Sequence, residues 1–175
     1  GANYATYAYD IADRLTGITN VADSTTISFG YDNANRMTSR SFPNGVNTTY
    51  EYDGMSRLTR LKDLGTTATL FDRQYSYNSA NQISQIIEPS LSRVFGYDNI
   101  DRLTSATGGV SENYVFDPVG NRTSSHRSSS YGYSPFNKLT STQTATYNFD
   151  SNGNTASKSE GSNFWRYTWD YENRL

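Results

Sequence analysis

The feature that most constrains this chain is an aromatic pair that recurs about every twenty residues. An aromatic residue, the anchor, follows a second aromatic residue two positions earlier, the partner aromatic, nine times at spacings of 16 to 25 residues. Residues two apart in a strand lie on one face, so each pair predicts a strand with an aromatic face. The anchors are Tyr9, Tyr31, Tyr52, Tyr77, Tyr97, Phe116, Tyr133, Phe149 and Trp169, and the partner aromatics are Tyr7, Phe29, Tyr50, Tyr75, Phe95, Tyr114, Tyr131, Tyr147 and Tyr167.

The residues that follow each anchor predict a tight turn. The next position, the turn acceptor, is Asp in seven repeats and Asn or Ser in the others. These side chains accept hydrogen bonds from backbone N–H groups two residues on, which starts a turn. Four past the anchor, Asn, Asp and Gly dominate, and these residues tolerate a left-handed φ. Five past, the link residue is usually Arg, and an apolar residue follows it, as in Arg57 and Leu58.

Each repeat therefore predicts one β-hairpin, with an Asp–Arg pair across the turn that contributes only about 0–1 kcal/mol. The predicted fold class is all-β: tandem antiparallel hairpins coiled into a spiral sheet, as a shell segment or a narrow tube. Residues 1–175 are predicted to form a single continuous array of about nine repeats. A closed ring of about 18 strands has a mean diameter of only ~27 Å. We therefore expect either a window of a longer chain or a fibre subunit that self-associates through its open sheet edges.

Composition excludes several classes of function. The chain has no cysteine, which rules out disulfides, thiolate metal sites and a cysteine nucleophile. It has one histidine, which excludes a His-rich metal cluster and most His-based acid–base machinery. A net charge of −2, with 15 basic and 17 acidic residues, argues against nucleic-acid and anionic-membrane partners. The apolar runs are too short for a transmembrane helix. We expect no cofactor and no metal.

Two polar segments are candidates for chemical sites. His126 lies in a Ser-rich stretch without a nucleophile pattern, which indicates a solvated loop rather than a catalytic base. Asp150, Asn152 and Asn154 have the alternating spacing of a calcium loop. Thr155 and Gly161 stand where such a loop needs Gly and Glu, so a tight turn is the better interpretation.

The surface offers two further possibilities. Asn47 and Asn121 open Asn-X-Thr sequences, which predict glycosylation sites if the protein is secreted. Exposed aromatic residues of the repeats could bind glycans. The alternative, that the aromatic residues form the packed face of the sheet, explains their regular placement more directly.

These columns resemble the YD repeat of the RHS family, most clearly in YEYDGMSRLT at 50–59 and WDYENRL at 169–175. The resemblance covers essentially the whole chain. It implies an array of antiparallel hairpins wound into a spiral β-sheet. In bacterial RHS proteins and the C-component of Tc toxins this sheet is a hollow shell around a toxic polypeptide, and in teneurins it is an extracellular barrel used in adhesion.

Three places need separate interpretation within this resemblance. Repeats six and eight depart from the pattern at 121–123 and 154–156, where we expect a shifted turn or looser packing. The sequence DPVG at 117–120 is similar to the DPxG elements near the autoproteolytic end of RHS shells. It occurs in register with the other repeats, so we interpret it as an ordinary turn.

The function predicted from these observations is structural. We expect a secreted, extracellular or cell-surface β-sheet scaffold, either a fibre or a shell wall, without catalysis in this segment. One alternative is part of a bacterial shell with an enclosed toxin polypeptide, and another is an adhesin that binds glycans. If the anchors are buried, Tyr52→Ala is predicted to cost roughly 3–5 kcal/mol.

Overall fold

The computed structural model describes residues 4–175, and this part of the chain contains strands and turns but no helix. The strands are β1 (Ala5–Tyr9), β2 (Leu15–Asn20), β3 (Thr26–Tyr31), β4 (Met37–Ser41), β5 (Asn47–Tyr52), β6 (Leu58–Leu64), β7 (Thr69–Tyr77), β8 (Ile83–Glu88), β9 (Leu91–Tyr97), β10 (Leu103–Thr107), β11 (Glu112–Phe116), β12 (Arg122–Ser125), β13 (Tyr131–Tyr133), β14 (Leu139–Thr142), β15 (Ala145–Phe149), β16 (Thr155–Glu160) and β17 (Asn163–Arg166). The predicted all-β fold of tandem antiparallel hairpins is confirmed.

The chain divides into two compact units, Gly1–Arg93 and Val94–Leu175. In the first unit, β1 to β8 lie side by side in sequence order, each antiparallel to the next. β9 carries the chain into the second unit, where β9 to β12 follow one another and β13 to β17 form a five-stranded sheet, also in sequence order. Because consecutive strands are neighbours, every hairpin pairs locally. The single array of nine repeats stays a prediction.

The hairpins share one register. In the first eight repeats the anchor pairs with the residue six positions later, as Tyr52 does with Leu58, and a β-bulge lies beside this pair. The ninth repeat differs, because β17 ends at Arg166 and no strand forms around Trp169. Only the Tyr167 N–H continues the pairing, with a 2.9 Å bond to the Ala156 carbonyl. The strand predicted for the ninth aromatic pair was therefore wrong.

The residue four past the anchor adopts a left-handed φ in all nine repeats: Asp13, Asn35, Ser56, Asn81, Asp101, Gly120, Asn137, Gly153 and Asn173. The shifted turns expected in repeats six and eight are not found. Both repeats keep the bulge, and glycine occupies the left-handed position, with φ of 94° at Gly120 and 87° at Gly153. Glycine adopts this conformation without the steric cost of a Cβ atom, so the turn is preserved.

Burial in these sheets is shallow. Within residues 4–175, Ala106 and Ala145 are the buried hydrophobic residues. Sixteen of the eighteen repeat aromatics are half-buried, whereas Tyr7 and Tyr9 on edge strand β1 are exposed. The aromatic residues are therefore partly covered by neighbouring strands and do not fill a closed core. A truncation such as Tyr52→Ala should accordingly cost less than a fully buried aromatic would.

Candidate functional site: the turn ladder

The turn acceptor organises each turn through one carboxylate. In the third repeat, Asp53 Oδ1 accepts the backbone N–H groups of Met55 and Arg57 at 2.9 and 3.0 Å. Its Oδ2 accepts the Arg57 Nε–H at 2.7 Å. A backbone bond from the Ser56 N–H to the Asp53 carbonyl, 3.0 Å long, closes the turn. The carboxylate thus binds the backbone of its own turn and aligns the Arg57 side chain.

The aligned arginine then contacts the next repeat. Arg36 Nη1 donates to the Asp53 carbonyl at 3.1 Å and to Ser56 Oγ at 3.2 Å. Its guanidinium carbon lies 4.8 Å from the centre of the Tyr52 ring, within the range of a cation–π contact. In return, the Tyr52 hydroxyl donates to the Met37 carbonyl at 2.8 Å. The turn of repeat two is therefore joined to the turn of repeat three by charge, ring and hydroxyl contacts.

We call this chain of contacts the turn ladder: the anchors, turn acceptors and link residues of successive repeats. The guanidinium-to-ring contact recurs in the pairs Arg14–Tyr31, Arg57–Tyr77 and Arg102–Phe116. The hydroxyl or indole bond to the preceding repeat recurs in Tyr31–Leu15, Tyr77–Leu58, Tyr133–Arg122 and Trp169–Thr155. The contacts of this ladder explain why anchors that are only half-buried occur with such regularity.

Repeats six and eight use an amide in place of arginine. Asn121 Nδ2 donates to its turn acceptor Asp117 at 3.0 Å and to Asn137 Oδ1 in the next turn at 3.0 Å. Asn154 makes the same two bonds, at 3.2 Å to Asp150 and 2.8 Å to Asn173. The shorter side chain keeps the bond to the next turn. The looser packing expected there is replaced by an uncharged version of the same link.

Repeats four and seven vary the ladder further. In repeat four the Asn78 amide donates to the Gln82 side-chain oxygen at 2.7 Å, so the pair across the turn is neutral. In repeat seven the Ser134 hydroxyl oxygen accepts the Lys138 N–H at 3.3 Å. The Lys138 ammonium lies 5.5 Å from the Phe149 ring centre. Several side-chain chemistries therefore support the same turn.

Hydrogen bonding lowers the pKa of the turn-acceptor carboxyls. For Asp10, Asp32 and Asp53 the largest cause is the backbone N–H of the link arginine, and the guanidinium bond adds to it. For Asp98 and Asp117 desolvation is the largest influence and raises the pKa. The combined backbone and side-chain bonds outweigh it, so the pKa is lowered. These carboxylates are stabilised in their charged form, which suits a structural role better than proton transfer.

The residues that were candidates for chemical sites take part in local packing and in a turn. His126 packs edge-on against Tyr114, with ring centres 5.6 Å apart. Asp150 Oδ1 accepts the N–H groups of Asn152 and Asn154, both at 2.9 Å, as the turn interpretation requires. Residues 4–175 contain no group of three His, Cys, Asp or Glu side chains arranged to hold a metal ion.

The glycosylation and glycan predictions remain open. The Asn47 side chain donates weakly to the Gly45 carbonyl at 3.3 Å, and its residue is exposed. The Asn121 amide nitrogen already donates two bonds in the turn ladder. Of the two asparagines, Asn47 is the more accessible acceptor.

Sequence analysis missed a close contact beside three anchors. Glycine precedes the anchor where serine occupies the cross-strand position, and a Cβ on the glycine would lie 2.4 Å from the serine Oγ. The pairs are Gly30–Ser39, Gly96–Ser105 and Gly132–Ser141. The co-occurrence of glycine just before the anchor and serine eight residues after it was the available signal.

No helix within residues 4–175 is long and apolar enough to cross a bilayer.

Comparison with known proteins identifies the repeat. Residues 31–69 match the family model described as RHS Repeat. The chain carries an RHS repeat. This match begins at the anchor Tyr31 and includes the anchor Tyr52, so it falls on the ladder itself, and the resemblance stated from the sequence is confirmed. No curated protein matches the chain in sequence.

Solved structures share the fold of this chain. A chain in the Tc holotoxin pore of Photorhabdus luminescens, with a mutation in TccC3, matches 95% of this chain at 20% identity and a TM-score of 0.65. Chains in TcdB2–TccC3–Cdc42 and in TcdB2–TccC3 without the hypervariable C-terminal region also match at 20% identity and 0.65, over 90% and 95% of this chain. The present chain spans about 11–12% of the length of these chains.

Proposed function

We propose that this RHS-repeat chain is a wall segment of a β-sheet shell that encloses another polypeptide, and that it performs no catalysis. The observation that carries the proposal is the turn ladder, which within each unit joins successive turns through arginine, lysine or asparagine link residues. A contact that recurs along the array is typical of a continuous wall, whereas a reaction centre would involve a single position.

The comparison with Tc toxin complexes supports a shell rather than a fibre. Chains of these complexes contain the same hairpin arrangement over nearly all of the present chain. A segment of this size is too small to enclose a folded domain, so the enclosing protein would be a longer polypeptide. An extracellular location and release from bacteria are part of this proposal.

The contacts of the titratable side chains support the proposal that this chain performs no catalysis. Five turn-acceptor carboxylates are paired with arginines of their own turns. His126 contacts an aromatic ring rather than a carboxylate or hydroxyl. A nucleophile with an adjacent base, which covalent catalysis needs, is not assembled by these residues.

The proposal is tested by protease protection of the natural polypeptide that contains residues 1–175. We expect the wall and an enclosed segment to resist digestion under native conditions. Substitutions that remove ladder contacts, such as Arg36→Ala together with Arg57→Ala, should make the enclosed segment cleavable before the rest unfolds. A segment that is digested as fast in the intact protein as in denatured protein contradicts enclosure.

The fibre alternative has a separate test. Electron microscopy and size-exclusion chromatography of the 175-residue chain should show filaments or concentration-dependent growth if its sheet edges pair with other copies. A monodisperse chain without filaments contradicts self-association through the edges. A glycan array probed with the same preparation tests the adhesin alternative. This alternative predicts specific and saturable binding of a sugar.

A further inference from the structure

Two Asn-Gly sequences lie in turns of the same form, Asn44–Gly45 in the first unit and Asn152–Gly153 in the second. In each turn the glycine N–H donates to the carbonyl three residues earlier, at 3.0 Å to Phe42 and at 3.1 Å to Asp150. Both glycines are left-handed, with φ of 83° and 87°, and both asparagines are exposed. Because the backbones match, a difference in reactivity between the two sequences must come from the surrounding side chains.

An Asn-Gly sequence can modify itself. The glycine nitrogen forms a bond to the asparagine Cγ, the bond from Cγ to the amide nitrogen breaks, and the glycine N–H proton leaves with that nitrogen as ammonia. Water then opens the resulting succinimide ring, which yields aspartate or isoaspartate. Glycine favours the first step because no Cβ shields its nitrogen. The step requires an asparagine side chain that is free to rotate and a glycine nitrogen that gives up its proton.

The asparagine side chains of the two turns differ in freedom. Asn44 Oδ1 accepts the Val46 N–H at 3.1 Å, which holds the Asn44 amide in place. In the second unit the equivalent N–H, that of Asn154, donates to Asp150 Oδ1 at 2.9 Å instead. Within residues 4–175 the Asn152 side chain has no hydrogen-bond partner. Asn152 therefore reaches the reactive conformation without breaking a bond, whereas Asn44 must break one.

The glycines also differ in the charge beside them. A Cβ on Gly153 would overlap the Lys138 ammonium, so this cation lies against the Gly153 backbone. A Cβ on Gly45 would overlap the uncharged methyl group of Thr66. A positive charge favours loss of the N–H proton and stabilises the negative charge that develops on the attacked amide oxygen. The Asp150 carboxylate also lies near the Gly153 N–H and opposes proton loss, and the Lys138 ammonium offsets it.

We propose that Asn152–Gly153 is a self-modification site at which Lys138 promotes conversion of Asn152 to aspartate or isoaspartate, whereas Asn44–Gly45 is protected. Isoaspartate carries the main chain through its Cβ, which lengthens the backbone of the turn by one atom. The Asn154 amide of this turn donates to Asn173 Oδ1 at 2.8 Å, so the modification should loosen the link between the last two turns. This chemistry does not depend on the proposed wall function.

The two sequences can be compared within one sample. The folded chain is incubated at about pH 8, where the Lys138 ammonium stays protonated, and peptide mass spectrometry follows the change from amide to acid at Asn152 and Asn44. The ratio of the two rates is divided by the same ratio in the urea-unfolded chain, which corrects for the neighbouring residues. We expect a corrected ratio of at least about fivefold, the factor that one hydrogen bond supplies. A smaller corrected ratio overturns the proposal.

A charge-removing substitution tests the role of Lys138. Lys138→Met keeps an apolar stem and should lower the corrected ratio by about threefold, because the charge beside Gly153 is lost. The matched control, Lys158→Met, removes a charge from the strand that follows the turn and should leave the ratio unchanged. Equal ratios for the unaltered chain and Lys138→Met, or equal decreases for both variants, overturn the proposal. If Lys138→Met does not fold, the unaltered chain in high salt replaces it, because screening of the ammonium should also lower the ratio.

Discussion

Arginine-linked and asparagine-linked turns form the same hairpin, but their link residues make different numbers of contacts with the next turn. Arg36 contacts its own turn acceptor, two oxygens of the next turn and the Tyr52 ring. Asn121 contacts its turn acceptor and one oxygen of the next turn. Both turns have the same bulge and a left-handed residue at the same position, Asn35 in one and Gly120 in the other. The turn acceptor and the left-handed position therefore define the hairpin, whereas the link residue sets how strongly one hairpin holds the next.

The largest expected effect concerns the ring that an arginine covers. Tyr52→Ala removes the half-buried ring, its contact with Arg36 and the 2.8 Å bond to the Met37 carbonyl. We expect the free energy of unfolding to fall by about 3 kcal/mol, measured by urea denaturation with circular dichroism. The matched control, Tyr9→Ala on the exposed edge strand, should cost under about 1 kcal/mol. Equal losses at the two positions contradict the role of the ladder.

The next effect compares the two link chemistries directly. Arg36→Ala should lower the free energy of unfolding by about 2 kcal/mol, because a ring contact and charged hydrogen bonds are lost. Asn121→Ala loses one bond to the Asp117 carboxylate and one neutral bond to Asn137 but no ring contact, and should cost about 1 kcal/mol. The free energies of unfolding of the two variants are compared by urea denaturation in the same buffer. A larger loss for Asn121→Ala would reverse the order of the two links.

A backbone substitution tests whether the asparagine-linked turn depends on its glycine. Gly120→Ala should cost about 1 kcal/mol, because alanine at a φ of 94° is strained although no atom lies within 4 Å of the new Cβ. Gly54→Ala is the control, since this turn glycine is equally open around its Cβ position but does not have a positive φ. It should be neutral within about 0.5 kcal/mol. Thermal melting of the two variants measures the loss of stability. An equal loss for Gly54→Ala and Gly120→Ala would contradict backbone strain at the positive φ as the cause.

The smallest expected effect is a pH dependence. The pKa of Asp53 is lowered from 3.8 by the backbone and side-chain bonds of Arg57. A lowered pKa in the folded state stabilises the protein above the unfolded pKa, and this stabilisation is lost as pH falls through the folded pKa. Asp53→Asn should therefore be less stable than the unaltered chain at pH 7, with a difference that shrinks below about pH 4. Urea midpoints at several pH values measure this, and a difference that grows in acid contradicts the assignment.

Much of the fold and part of the ladder could be predicted from residue spacing. The aromatic period located eight of the nine hairpin turns between paired strands, and the Asn, Asp and Gly column located the left-handed residue in every repeat. The Asp–Arg pairing across the turn also followed from spacing. The contact of Arg36 with the next repeat could not be predicted from spacing, because neighbouring hairpins are separated in sequence by a second turn of variable length. The absence of a strand at Trp169 was missed for the same reason, since a local motif does not reveal whether a neighbouring strand continues the pairing.

Local properties follow from residue order alone: which residues pair within a hairpin, where the chain turns, and which classes of chemistry are excluded. These properties depend on side chains within about six residues of the anchor, so spacing reveals them. The contacts between hairpins and the covered fraction of each ring depend instead on the three-dimensional fold. An arginine contacts the ring of the following repeat because hydrogen bonding between strands brings consecutive turns side by side. That juxtaposition depends on the three-dimensional stacking of the hairpins and not on the distance along the chain.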